Sequence, residues 1–163
     1  MKGKAAIQTD VPPLVRLGMD QWTPDLIWFN GTQVVRTPNY YIQQMFAGSL
    51  GDQLIESSLT DESGAVLQES ATGLYHTVSK TADGRVYIKL VNVSGEEKRI
   101  ALQVLNGGFS APLTGTMTLL NGGKQDVNSL GAERIAPVEL PFTGDEVILP
   151  GYAAAVLALP AGR

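Results

Sequence analysis

Two carboxylates, Asp20 and Asp25, flank the sequence "QWTP" and are the first residues whose types and spacing could do chemistry. A pair of carboxyl groups about 5 Å apart can cleave a glycosidic bond, one as acid/base and the other as nucleophile. The alternative is structural, with Asp25 forming a turn or cap and Asp20 solvated. In α/β barrels catalytic groups lie at the carboxyl ends of strands, and Asp25 precedes the strand predicted below. We therefore assign no catalytic residue.

Four aromatic residues near these carboxylates are the weak candidates for substrate binding: Trp22, Trp28, Tyr40 and Tyr41. Exposed rings of this kind can stack on the faces of sugars. They can equally pack a strand and a helix against the rest of the chain, because such side chains bury large areas and their polar atoms find partners at junctions. Burial is the commoner fate of large apolar side chains, so we favour packing.

The single histidine, His76, lies beside Tyr75 in a segment of alternating polarity. Its reference pKa would suit a general base, but no nucleophile motif accompanies it, so a structural or exposed histidine is favoured. With one histidine and no cysteine, we expect no metal site, no disulfide and no thiol chemistry. The glycine pairs at 107–108 and 122–123 lack the strand–loop–helix context of phosphate binding, and we expect no cofactor.

Composition narrows the class of protein further. The chain has 163 residues, 44% of them hydrophobic and 17% charged, which is typical of one globular domain or one domain plus a piece of another. The net charge of −4 gives no electrostatic basis for binding nucleic acid. No apolar run approaches the length of about 20 residues that a membrane helix needs. The first lysines are not followed by an apolar core, so cytoplasmic location is favoured over secretion.

The residues before position 53 predict one strand–loop–helix unit. "DLIWF" (residues 25–29) is a continuous apolar run, the pattern of a strand buried on both faces. Thr37 and Pro38 are placed as helix cap and first helical residue, and Gly48 can end the helix. A single parallel strand has no partner in an antiparallel sheet, and such units normally occur in sets. Residues 1–52 are therefore predicted to be the terminal βα unit of a (β/α)8 barrel.

Residues 53–163 predict a mainly β fold. Short alternating runs separated by turn residues occur at 53–60, 65–71, 74–81, 85–94, 99–106 and 113–120, followed by two strands within 145–160. Asp83 and Gly84 predict a hairpin turn, and residues 121–134 predict a long loop. This spacing favours an antiparallel, jelly-roll-like β-sandwich.

Three segments carry a resemblance to a known family: "QWTPDLIWFN", "TPNYYIQQMFAGSLGD" and "VYIKLVNVS". They resemble the C-terminal portion of the α-L-arabinofuranosidases of glycoside hydrolase family 51, and "ILPGYAAAVLAL" is similar to the family's closing strands. The resemblance implies a parent protein that is a retaining glycosidase, whose barrel carries two catalytic glutamates upstream of these residues. No segment here matches the family's catalytic segments.

The resemblance implies an accessory region that braces the parent's catalytic barrel and does not hydrolyse substrate alone. Its implied partners are that barrel and, through the parent, arabinose-containing polysaccharides or oligosaccharides; a homo-oligomer is also possible. One alternative is an independent carbohydrate-binding module, which needs exposed aromatic rings among candidates such as Tyr75, Tyr87, Phe109, Phe142 and Tyr152. Another is a structural domain for oligomerisation.

A strand and helix removed from a barrel would expose an apolar patch, for which the candidates are Val34, Val35, Ile42, Met45 and Phe46. We expect either self-association through this patch or docking of the segment onto the chain's own sandwich.

Overall fold

The structure is a computed structural model that describes residues 14–19, 25–105, 109 and 111–162. The strands are β1 (Leu14–Arg16), β2 (Ile27–Phe29), β3 (Val34–Arg36), β4 (Gln53–Ile55), β5 (Leu74–Lys80), β6 (Val86–Asn92), β7 (Lys98–Ala101), β8 (Leu113–Leu120), β9 (Val138–Gly144), β10 (Glu146–Leu149) and β11 (Ala154–Leu159). The helices are α1 (Pro38–Ala47) and α2 (Glu69–Thr72).

An antiparallel β-sandwich forms the larger part of the molecule, as predicted. Six strands make one sheet in the order β4-β5-β6-β11-β8-β9, and β7 pairs with β10 in a second sheet. The main core lies between the two sheets and includes Leu90, Leu149, Leu157 and Leu159, all of which are almost fully buried. Alternation in β6 places Ile88 and Leu90 in this core, as the period of two requires.

Strand β11 is covered on both faces, which explains its continuous apolar sequence. Ala155, Leu157 and Leu159 point into the sandwich core, whereas Val156 belongs to a second apolar cluster on the outer face of the six-stranded sheet. Tyr41 and Met45 of α1 pack in that second cluster. The helix therefore closes the outer face of the sheet as a third layer.

Helix α1 begins and ends where the sequence predicts. The Thr37 hydroxyl accepts from the Tyr40 backbone N–H at 3.3 Å, Pro38 is the first helical residue, and the Gly48 N–H bonds the Gln44 carbonyl at 2.9 Å. At the carboxyl end, the Lys89 ammonium donates to the Phe46 carbonyl at 2.9 Å, a favourable place for a cation. Burial lowers the pKa of Lys89.

The segment expected to form an exposed patch is docked on the sandwich. Val35 and Met45 are buried, and Ile42 and Phe46 are half-buried against the second apolar cluster. Only Val34 among the five remains largely exposed, at 62%. Docking onto the chain's own sandwich, the second of the two expected outcomes, is confirmed.

The prediction that the N-terminal strand lacks a partner is wrong. Strand β2 pairs in parallel with β1 and antiparallel with β3, so the loop expected before α1 contains a strand. Asn30 makes this possible, because its side-chain oxygen accepts from the backbone N–H groups of Thr32 and Gln33 at 2.9 and 2.7 Å and reverses the chain. Neither Asn30 nor Gly31 has a positive φ, so the connection is a four-residue loop over residues 30–33 and not the two-residue turn that Asn-Gly usually forms. The division of the chain at residue 52, and its origin in a barrel, stay predictions.

Two further differences concern the sandwich. The strand predicted at 65–71 is wrong: Val66 makes a single bridge to Thr60, and α2 follows, ending at Gly73 with a φ of 67°. Strand β9 was not predicted, because Pro141 interrupts its apolar pattern. Proline is tolerated there because β9 is an edge strand.

Two predicted connections are confirmed. One is the hairpin at Asp83-Gly84, and the other is the loop at 121–134, which contains a single bridge between Ser129 and Ala132.

Candidate functional site

Two of the aromatic candidates, Tyr40 and Tyr41, lie where β3, α1 and the 121–134 loop meet. Trp22 falls outside the described residues. Trp28 and Tyr40 are half-buried, and Tyr41 is 8% exposed. The Tyr40 and Tyr41 rings contact edge to face with centroids 5.5 Å apart, and the Arg36 guanidinium lies 5.9 Å from the centroid of Tyr40. Such contacts stabilise packing between elements. Substrate binding by these residues stays a prediction.

Glu133 links the loop to both neighbouring elements. The Tyr41 hydroxyl donates to its Oε1 at 2.6 Å, the Arg36 backbone N–H donates to the same oxygen at 3.1 Å, and the Arg36 guanidinium lies 3.6 Å from Oε2. Burial raises the pKa of the Tyr41 hydroxyl, and the hydrogen bond to Glu133 raises it further. The buried Asn128 amide donates to the carbonyls of Arg36 and Ile135 at 2.9 and 2.7 Å. The junction is therefore held by polar contacts as well as by packing.

Asp25 and Trp28 contribute buried polar atoms that have no hydrogen-bond partner among the described residues. Asp25 is 1% exposed. Its two carboxylate oxygens and the Trp28 indole nitrogen are buried, and none of the three forms a hydrogen bond within the described residues. The expected turn or cap by the Asp25 side chain is wrong: its backbone carbonyl, not its carboxylate, accepts from the Thr37 hydroxyl at 2.9 Å. Buried polar groups are normally paired, so the Asp25 carboxylate requires a donor and the Trp28 indole N–H an acceptor from outside the part of the chain that the structure describes.

The second candidate site surrounds His76. Its ring nitrogen Nδ1 lies 2.7 Å from Glu69 Oε1, and its backbone N–H donates to the same oxygen at 2.8 Å. The His76 side chain is 14% exposed. The backbone hydrogen bond from His76 holds the pKa of Glu69 below its usual range, and the imidazole contact adds to this effect. Glu69 is therefore an oriented, ionised carboxylate at the start of α2.

A groove of about 660 Å³ opens beside this pair, between β4, β5 and residues 56–70. Its lining mixes apolar and polar side chains, among them Leu54, Leu67, Tyr75, Ser57, Gln68 and Glu69. The sequence pointed to Tyr75 and His76 but missed Glu69, because residues 65–71 were interpreted as a strand. Gly73, which ends α2, was the local signal that could have corrected this.

Among the described residues, no group of three or more His, Cys, Asp or Glu side chains could hold a metal ion. Within the same part of the chain, neither helix has the length and apolar character that crossing a bilayer requires. Glu96, Glu97, Asp145 and Glu146 are exposed.

Comparison with known proteins places these observations in a family. The family model described as "Alpha-L-arabinofuranosidase C-terminal domain" matches residues 13–151. The probable α-L-arabinofuranosidase A of Aspergillus flavus is 30% identical over 161 residues, covering 90% of this chain but 22% of that protein. The chain thus spans about a fifth of the length of the curated relative.

Two solved structures share the fold. The arabinose-bound MgGH51 α-L-arabinofuranosidase aligns with 91% of this chain and 23% of its own, with a TM-score of 0.75 and 22% identity. The arabinose complex of the Thermotoga maritima α-L-arabinofuranosidase aligns with 82% of this chain and 31% of its own, with a TM-score of 0.67 and 18% identity. With a family match across most of its length, this chain belongs to the α-L-arabinofuranosidase C-terminal domain family.

Proposed function

We propose that this chain is a non-catalytic accessory region that supports the catalytic barrel of an α-L-arabinofuranosidase. The observation that carries the proposal is the match of 90% of the chain to 22% of a curated relative, which leaves most of that relative's length to other parts of the protein. In this proposal the remainder of the parent supplies the two catalytic carboxylates of a retaining mechanism. The parent would release terminal α-L-arabinofuranosyl residues from arabinan, arabinoxylan or their oligosaccharides.

The three-stranded sheet is the proposed contact with the barrel. Its parallel β1–β2 pair is the arrangement found between neighbouring barrel strands, and Leu14 of β1 is 55% exposed at its edge. The Asp25 carboxylate lies beside β2 and the Trp28 indole N–H lies within it. Neither has a hydrogen-bond partner among the described residues, and in this proposal the barrel supplies one. Helix α1 and Glu133 join this sheet to the sandwich, so the sandwich would hold the end of the barrel rigidly.

Incubation of the purified chain with an aryl α-L-arabinofuranoside tests the non-catalytic claim. We expect a rate equal to that of the buffer blank. Turnover well above the blank would contradict the proposal. The variants Glu56→Gln and Glu69→Gln, which change the two carboxylates lining the groove, then decide whether such turnover belongs to this chain or to a contaminant.

Assembly is a separate part of the proposal. The exposed side chains of Val34 and Leu14 belong to the proposed contact with the barrel. When the barrel is absent, two copies of the chain would associate through these side chains. Light scattering of the wild type and of Val34→Ser tests this, with a smaller associated fraction expected for the variant.

A further inference from the structure

We propose that the groove beside His76 is a binding site for a neutral carbohydrate chain, separate from the aromatic cluster of β3 and α1. The groove volume of about 660 Å³ lies within the range of pockets that hold small ligands. Nothing in the accessory role requires such a site. The choice of arabinan as the first probe rests on the proposed function, whereas binding itself does not.

The first argument is the pre-set orientation of Glu69 and His76. Two donors from His76 hold Glu69 Oε1, at 2.8 and 2.7 Å, and leave Oε2 without a partner among the described residues. The pair thus offers Glu69 Oε2 as an acceptor whose position is fixed by the two contacts to Oε1. Ligands that supply several hydroxyl donors, such as sugars, match this arrangement.

The second argument is the mixture of side chains around the pair. Tyr75 is 40% exposed and lines the groove, but it projects from the opposite face of β5 to its neighbour His76, because Tyr75 pairs with Val91 and His76 with Leu90. Its ring can therefore stack on a sugar of a chain that extends past the edge of β5. Ser57, Ser70 and Gln68 add hydroxyl and amide groups that can both donate and accept. A few polar groups placed among apolar ones are typical of ligand sites.

The third argument is charge. Residues 52–69 contain five acidic residues and no basic one: Asp52, Glu56, Asp61, Glu62 and Glu69. Among the described residues that line the groove there is no lysine or arginine. Anionic ligands such as uronates, phosphates or nucleic acid are therefore repelled. The carboxylates would also attract a cation, and for that reason the test includes a lysine-rich peptide, whereas an uncharged polyol matches the hydroxyl and amide groups of the lining.

The fourth argument is that one wall of the groove is already ordered. The Leu67 N–H donates to the Leu59 carbonyl at 2.8 Å, which closes residues 59–67 into a short loop. Asp61 Oδ1 accepts from the hydroxyl of Ser63 at 2.6 Å and from the N–H of Ala65 at 3.0 Å. A pre-formed wall reduces the entropy lost when a ligand binds.

Isothermal titration calorimetry of the purified chain with arabinan, arabino-oligosaccharides and xylo-oligosaccharides tests the proposal, with polygalacturonate and a lysine-rich peptide as charged probes. We expect binding of at least one neutral glycan and none of polygalacturonate. Tyr75→Ala and Glu69→Ala are expected to weaken that binding about tenfold, equivalent to about 1.4 kcal/mol. Tyr75→Phe retains the ring and is expected to bind like wild type.

Glu97→Ala is the matched charge control, since Glu97 is exposed and does not line the groove. Circular dichroism melts of every variant separate lost binding from lost folding. The proposal is overturned if no neutral glycan binds, if polygalacturonate or the peptide alone binds, or if folded Tyr75→Ala and Glu69→Ala bind as wild type does. Calorimetry measures binding without turnover. A lack of glycan binding would therefore overturn the groove proposal alone, whereas hydrolysis of the aryl arabinofuranoside would overturn the accessory role.

Discussion

At the scale of single residues, the hydroxyl of Tyr41 is the most informative group in the aromatic junction. Tyr41→Phe removes the 2.6 Å hydrogen bond to Glu133 and leaves the partly exposed Glu133 carboxylate with one donor fewer. We expect a loss of unfolding free energy on the order of 1 kcal/mol, measured by urea denaturation.

Tyr40→Phe is the matched control for this change, because no hydrogen bond of the Tyr40 hydroxyl is found among the described residues and its ring contacts are kept. Equal losses in the two variants would contradict a specific role for the bond between Tyr41 and Glu133.

Glu69 gives a residue-scale prediction about pH. Because its pKa is lowered in the folded chain, its contribution to stability is complete above the unfolded value near 4.5 and is lost as the pH falls through the folded value. Thermal melts of wild type should therefore fall toward acid more steeply than those of Glu69→Gln. The difference should be small, because the side chain is partly exposed. Parallel pH profiles would show that Glu69 has no such role.

Residue types alone account for only part of the candidate sites. Tyr75 and His76 could be selected from the sequence, since they are a partly polar aromatic residue and the only histidine. Glu69 could not, because its relation to His76 depends on a short helix that places residues seven positions apart in contact. The burial of Asp25 was equally hidden, because it follows from packing around β2 and not from local pattern.

At the scale of elements, the attachment of α1 to the outer face of the sheet can be measured. Met45→Ala removes a buried side chain from the second apolar cluster and leaves a cavity between α1 and the sheet. We expect a loss of about 2–5 kcal/mol in unfolding free energy. Gln44→Ala, one residue away on the exposed side of the same helix, should change it by less than about 0.5 kcal/mol. A small effect of Met45→Ala would mean that α1 is loosely attached.

The contact between β8 and β11 depends on a glycine. A Cβ atom at Gly115 would lie 2.2 Å from the Ala158 carbonyl oxygen, so Gly115→Ala must push the two strands apart. We expect a loss of about 1–3 kcal/mol, measured by chemical denaturation. Gly31→Ala is the control, because no atom lies within 4 Å of its added Cβ. Similar stabilities of the two variants would contradict this close approach.

Elements were predictable where local chemistry decides them. Thr37, Pro38 and Gly48 define α1 within a few residues, and Asp83-Gly84 defines a hairpin. Strand β3 was missed because Asn30-Gly31 was not interpreted as a turn, and β9 was missed because Pro141 is acceptable only at a sheet edge, a position that tertiary structure sets. The parallel partner of β2, strand β1, also depends on contacts that no local pattern reveals.

At the scale of the whole molecule, cutting the chain at the predicted boundary after residue 52 should expose apolar surface and lower the stability of the sandwich. A chain of residues 53–163 lacks α1 and uncovers Leu120, Val156 and Tyr87 on the outer face of the six-stranded sheet. We expect this shorter chain to bind an apolar fluorescent dye more strongly and to melt at a lower temperature than the full chain. Equal dye binding and equal melting temperatures would indicate that the sandwich is complete without the helix.

The two edges of the six-stranded sheet have a consequence for behaviour at high concentration. Strand β4 offers three residues to an incoming strand, and β9 carries Glu139 and Pro141 along its length. Short edges, charges and proline all discourage another chain from extending a sheet. Fibril growth by strand addition is therefore disfavoured at both edges of this sheet. Because the edges are protected in this way, the central strands can be strongly apolar without promoting aggregation.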